Sequence, residues 1–164
     1  MDLNKLTYKY STLGDFKHIR ELLNKCFGRM PINHGALNNL MGGYYLAYDG
    51  KKLVGLTGIQ SSCEFNGKRI TWTCVDPEYQ GQGIMTRMLG DLISKENDTA
   101  IYVTAWKLQD RELPNLYPVL SKLGFTLLRE DFLNHLNEHT QFCRGCKYQH
   151  ACTMCSEWLY YIKV

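Results

Sequence analysis

The sequence predicts a mixed α/β fold, with one mostly antiparallel sheet flanked by helices in a single domain. Three observations carry that expectation. The chain has 164 residues, enough for one core that buries about two thirds of the unfolded surface. Its apolar spacing switches repeatedly between a period of two and a period near 3.6, so strands and helices interleave. Two turn dipeptides, Asp49-Gly50 and Asn66-Gly67, mark successive hairpins in the first half. Apolar residues at 45% and charged residues at 21% are ordinary for a globular chain and exclude disordered or collagenous classes.

Leu6 to Tyr10 has strand character. Phe16, Ile19, Leu22, Leu23, Cys26 and Phe27 then recur at helical spacing, with Asp15 as N-cap and Gly28 as stop. A weaker helical segment, Asn33 to Met41, ends at Gly42-Gly43. The runs YYLAY and KLVGLTGI flank Asp49-Gly50, and the strand around Cys63 and RITWTCV flank Asn66-Gly67. Beyond Val75, the stripe Ile84, Met85, Met88, Leu89, Leu92 and Ile93 is one face of a helix. Ala100 to Trp106 reads as a buried strand. Asn115 to Leu123 suits a short helix with Asn115 as N-cap, Pro118 in the first turn and Gly124 as stop. The strand FTLLRED follows, and EWLYYIKV closes the chain.

No apolar run approaches the ~20 residues that span a bilayer. The opening MDLNKLTYKYS lacks the apolar stretch of a signal peptide. Net charge is +3, with Lys and Arg never in runs above two. Neither a nucleic acid nor a membrane is expected as a partner. Seven cysteines, an odd number without a secretory signal, point to a reducing, cytoplasmic setting instead of a disulfide framework.

The stretch VDPEYQGQGIMTRML, Val75 to Leu89, carries the most chemistry. Pro77 stops the ladder after Val75. Gln80-Gly81-Gln82-Gly83 then opens the striped helix. Glycines there let the backbone approach a ligand, and the free N–H groups and dipole of the first helical turn favour an anion. Strand, Gly-rich turn and helix together make a phosphate site. No Gly-Lys-Ser or Gly-Lys-Thr follows, so this is not a P-loop, and the third glycine of a dinucleotide fingerprint is absent.

This stretch resembles the acetyl-CoA motif of the GCN5-related N-acetyltransferases, the GNAT superfamily: Arg or Gln, two residues, Gly, one residue, Gly or Ala. Gln80, Gly83 and Ile84 match, and Met85 stands where Gly or Ala is usual. The order of elements is similar over nearly the whole chain, through Lys122-Leu123-Gly124-Phe125. The resemblance implies acetyl-CoA as co-substrate. It implies a strand ending at Val75 that splays from the strand Ala100 to Trp106, with the pantetheine arm in the gap against Thr73, Cys74 and Val75. It places the pyrophosphate on Gly81, Gln82, Gly83, Ile84, Met85 and Thr86, beside Gln80. A backbone N–H near Val75 would polarise the thioester carbonyl. A primary amine of a small molecule or peptide would attack directly, with no acyl-enzyme.

Direct attack needs a neutral amine, and freeing one of pKa about 10.4 at pH 7 costs roughly 4 to 5 kcal/mol. Glu64, before the Asn66-Gly67 turn, is a candidate base; it also reads as a solvated hairpin carboxylate. Many family members supply a proton to the leaving thiolate from a Tyr four residues before the late Gly-Phe pair. Leu120 stands there. Tyr117, one helical turn earlier, is the candidate donor, and it also reads as a packed aromatic.

Cys143, Cys146, Cys152 and Cys155 form two C-x-x-C pairs, a signal for one structural, tetrahedral zinc. A redox dithiol or four free thiols are the alternatives, and His139 or His150 could substitute for one Cys. The domain expected is therefore 1–164, with 131–155 as a Cys-rich zinc-binding insertion before the last strand. The splayed cleft is expected elsewhere on the sheet, so that zinc supports the fold, and could shape a substrate wall, without touching the thioester. Two rival functions stay open: a non-catalytic acyl-CoA-binding regulatory domain, and a zinc-dependent interaction module. Oligomeric state is open too, with a homodimer as one option.

Overall fold

The computed structural model describes residues 2–28, 43–62, 66–107, 111–134 and 156–164. The expected helix over 33–41 lies outside the described residues, as do Glu64 and the four cysteines of the expected zinc set. Ten principal elements are described: β1 (Thr7–Tyr10), α1 (Phe16–Phe27), β2 (Tyr44–Asp49), β3 (Lys52–Ser62), β4 (Gly67–Val75), α2 (Ile84–Ile93), β5 (Ala100–Lys107), α3 (Tyr117–Lys122), β6 (Thr126–Asn134) and β7 (Ser156–Lys163). One seven-stranded sheet runs β1-β2-β3-β4-β5-β7-β6. Each neighbouring pair is antiparallel except β4 and β5, which run parallel. The helix between them makes the crossover that parallel strands require. No described helix is long and apolar enough to cross a membrane.

Alternation along the strands builds a separate core on each face. On one side, Ile19, Leu22 and Leu23 of α1 pack on Leu46 and Leu56. On the other, Ile84, Met88 and Leu89 of α2 pack on Val54, Ile70 and Val103. The predicted stripe is thus the buried face of α2, with Met88 and Leu89 sealed from solvent.

Local corrections have physical causes. Asp15 precedes α1, but its carboxylate does not cap it. It turns back to accept from the Thr12 amide (2.9 Å), Lys9 Nζ (2.7 Å) and Tyr48 Oη (2.7 Å). Burial works to raise its pKa, and those donors outweigh burial and hold it low. The first hairpin pairs Asp49 with Lys52. Its two-residue loop is therefore Gly50-Lys51, one position later than predicted, with the positive φ of +57° on Gly50. The second hairpin pairs Ser62 with Gly67, so its loop is longer than the Asn66-Gly67 turn. Helix α3 is preceded by Leu116, not Asn115, as its N-cap.

Strand β6 runs to Asn134, so only 135–155 separate it from β7, a shorter stretch than 131–155. Asn134 pairs with Ser156, and Ser156 also pairs with Lys107 at the end of β5. Both roots of that stretch therefore lie at the C-terminal end of β5, the end at which the β4–β5 split opens. The expectation that cleft and insertion sit apart is corrected by this register.

Candidate functional site

Strands β4 and β5 pair only at Lys68–Ile101, Arg69–Tyr102 and Ile70–Val103. Beyond these three pairs the strands are no longer bonded to each other, and a gap opens toward Val75 and Lys107. A bulge accompanies the split. Leu56 opposes Cys74 and Gly58 opposes Thr71, so Thr57 faces both Trp72 and Thr73. Trp72 carries φ +46°, a costly conformation for a bulky residue. Such a bulge bends its strand and leaves one residue out of the ladder. No residue pattern foretold it, since Trp is a good strand former and gives no bulge signal.

The three predicted pantetheine contacts lie on this split segment. Thr73 Oγ1 is 2.9 Å from Thr57 Oγ1. Cys74 is buried against Cys26, whose hydrogen bond, together with burial, pushes the Cys74 thiol pKa up. A thiol held protonated is a poor nucleophile. The Val75 carbonyl accepts from the Gln80 amide (3.0 Å) and the Cys26 thiol (3.5 Å). The family-motif Gln80 thus holds the turn to the strand end with its own side chain.

Asp76 begins the turn and is only 2% exposed. Its carboxylate accepts from Lys25 Nζ at 2.8 and 2.9 Å and from the Glu78 amide at 3.0 Å, and Lys52 Nζ lies 3.3 Å away. Burial works to raise its pKa; Lys25, the Glu78 amide and Lys52 bring the net value down. One buried carboxylate therefore ties α1, β3 and the turn together. Its partners Lys25 and Lys52 come from 51 and 24 positions away in the chain, so the sequence alone does not announce them.

Gly81 (φ +75°) and Gly83 (φ +85°) both take the left-handed conformation, which glycine adopts without strain. A Cβ at Gly81 would meet nothing within 4 Å among the described residues, so that backbone is open to a ligand. The Arg87 amide bonds the Gly83 carbonyl at 3.0 Å. The amides of Ile84, Met85 and Thr86 in the first turn have no intrahelical acceptor. Ile84 and Met85 bury their side chains in the core, so only their backbone is offered outward. This explains why Met85 is tolerated where Gly or Ala is usual. A shallow hollow of about 400 Å³ adjoins the turn, lined by Leu3, Gly83, Thr86, Arg87, Gly90 and Lys122 among others. The predicted residues Gln80 to Thr86 are thus brought together around an anion-ready helix start, and their arrangement fits a pyrophosphate.

Tyr117 is the first residue of α3 and packs against the α2-side core. Its ring lies 6.5 Å from that of Tyr160. Leu120, at the usual acid position, is completely buried and serves packing. Tyr160 Oη and Trp158 Nε1 are buried on the same side with no hydrogen-bond partner among the described residues. Burial, with Tyr117 and Glu130 nearby, raises the Tyr160 phenol to about 12. Sequence reading missed both groups, because their orphaned state exists only once β7 is inserted between β5 and β6. No group of metal-ligating side chains occurs among the described residues.

A family model described as an acetyltransferase (GNAT) domain matches residues 41–127. No curated protein matches the chain by sequence. Among solved structures, the ribosomal-protein-S18-alanine N-acetyltransferase of Escherichia coli aligns over 97% of this chain and 94% of its own, with TM-score 0.69 and 13% identity. An Arabidopsis thaliana protein in complex with the bisubstrate analogue CoA-Ac-MVNAL covers 98% and 99%, with TM-score 0.65 and 16% identity. The N-acetylglutamate synthase of Neisseria gonorrhoeae, complexed with coenzyme A and N-acetyl-glutamate, aligns over 96% of this chain but 35% of its own, with TM-score 0.64 and 16% identity. At such identities these likenesses are likenesses of fold. The family match spans more than half of the chain and includes both the splitting strand and the Gly-rich turn, and on that ground the chain belongs to the GNAT acetyltransferase family.

Proposed function

We propose that this chain transfers the acetyl group of acetyl-CoA to a primary amine of a small molecule or peptide, by direct attack. The observation that carries the reading is the loss of β4–β5 pairing after Ile70 and Val103, next to a helix start whose amides are open. The pyrophosphate is assigned to the backbone from Gly81 to Thr86. The pantetheine arm is assigned to the gap beside Thr73, Cys74 and Val75. A peptide N–H of the bulged segment near Val75 takes the developing charge on the carbonyl oxygen. The C–N bond forms as the C–S bond breaks. The amine's extra proton leaves to solvent or to Glu64.

The departing thiolate takes a proton from Tyr117. Tyr160, whose phenol burial raises to about 12, is a weaker acid than an ordinary tyrosine, so the proton is assigned to Tyr117. Cys143, Cys146, Cys152 and Cys155 are proposed to hold one structural zinc that orders the stretch between β6 and β7. Thiol release from acetyl-CoA with a panel of primary amines tests the activity. Tight CoA binding with no thiol release from any amine would favour the non-catalytic acyl-CoA-binding domain, a reading that the buried Leu120 specifically supports.

A further inference from the structure

The two faces of the split sheet differ in what they offer. On the α2 side lie the Gly-rich turn, the hollow beside it and the small Ala105. A cofactor held by that turn reaches the split from this side, which leaves the α1 side for the group that attacks. On the α1 side three aromatic rings meet across the gap. Phe27, the last residue of α1, is 6.3 Å from Trp72 of β4 and 5.9 Å from Trp106 of β5, with interplanar angles of 73° and 65°. One ring thus bridges both separated strands in edge-to-face contact. All three are only partly buried.

Trp72 also bears the positive φ of the bulge. Gly or Asn would take that conformation at less cost, so a Trp there points to a demand for the side chain. At the base of the same face, Arg69 Nη2 donates to Thr104 Oγ1 at 3.2 Å, which puts a positive charge near the narrow end of the gap.

We infer that Phe27, Trp72 and Trp106 form the acceptor wall, and that the acceptor carries an aromatic or large apolar group next to its amine. The inference rests on the acetyl-transfer reading above. Three partly buried rings beside the split offer flat apolar area to an acceptor.

The experiment is an acceptor panel at saturating acetyl-CoA: 2-phenylethylamine and tryptamine against ethanolamine and 1,4-diaminobutane. The aromatic amines are expected to show kcat/KM about tenfold higher or more, chiefly through KM. Phe27→Leu and Trp106→Leu stay apolar but remove the ring, and each should cut that preference by roughly threefold or more, while calorimetric Kd for CoA stays within about twofold. Equal use of all four amines, a preference for the diamine, or a preference unchanged in both variants overturns the inference. The unmutated panel decides even if a variant misfolds. CoA binding with no turnover of any of the four also overturns it, and leaves the cofactor assignment standing. A protein that binds no CoA at all removes the acetyl-transfer reading and the inference together.

Discussion

Gly83→Asp separates two effects at the helix start, conformational strain and charge. Gly83 sits at φ +85° and ψ 1° immediately before α2. Any L-residue held there pays about 1 to 2 kcal/mol. Asp is a favoured N-cap in general, but capping requires an extended backbone, and the left-handed conformation denies it. Among the described residues, the only close neighbour of an added Cβ is Leu3 Cδ1 at 3.6 Å, an ordinary contact, so sterics add little. Gly83→Ala and Gly83→Asp should therefore lose similar stability. Their CoA affinities should differ. A carboxylate about 5 Å from a pyrophosphate charge, at an effective dielectric of about 20, repels it by roughly 3 kcal/mol. That is about a hundredfold in Kd beyond the Ala variant. Calorimetry with CoA and urea unfolding measure the two quantities. Equal affinities for the Ala and Asp variants, with both folded, would refute the placement of the pyrophosphate at this turn.

Three further outcomes are expected. Asp76→Asn should cost about 2 kcal/mol at pH 7, below the usual figure for breaking a buried pair because Lys25 and Lys52 are 40% and 45% exposed. The Asp76 pKa is held below its ordinary 3.8, so its contribution is full above that value and fades as pH falls further. The gap between variant and parent in urea unfolding should then narrow below about pH 4, and a constant gap would contradict the sign. Tyr117→Phe should lower kcat about tenfold to a hundredfold with calorimetric CoA affinity retained; unchanged kcat would pass the donor role to water. Elemental analysis of chelator-free protein should find about one zinc per chain, and chelation should lower the unfolding temperature. Metal-free protein with unaltered unfolding would remove the zinc proposal.

Local chemistry was legible from residues alone. The stripe from Ile84 to Leu92 named the buried face of α2, because helical period and burial are one fact. Gln80 to Gly83 named the anion-ready turn, because only glycine takes those backbone angles freely and a helix start always leaves amides open. Leu120 already showed that the usual acid is missing. What tertiary structure alone decided depends on register between distant segments. Pairing of β4 with β5 stops after three residue pairs, and no property of Thr71 or Thr104 by itself announces that. The bulge at Trp72 arises from the mismatch of β3 against β4. Asp76 finds its cations on α1 and β3, and the shape of the sheet sets those distances. Insertion of β7 between β5 and β6 brings both roots of 135–155 to the open end of the split, which sequence order had placed apart. Phe27, Trp72 and Trp106 stand 45 and 34 positions from one another in the chain, and only the splayed sheet with α1 laid across it makes them one wall.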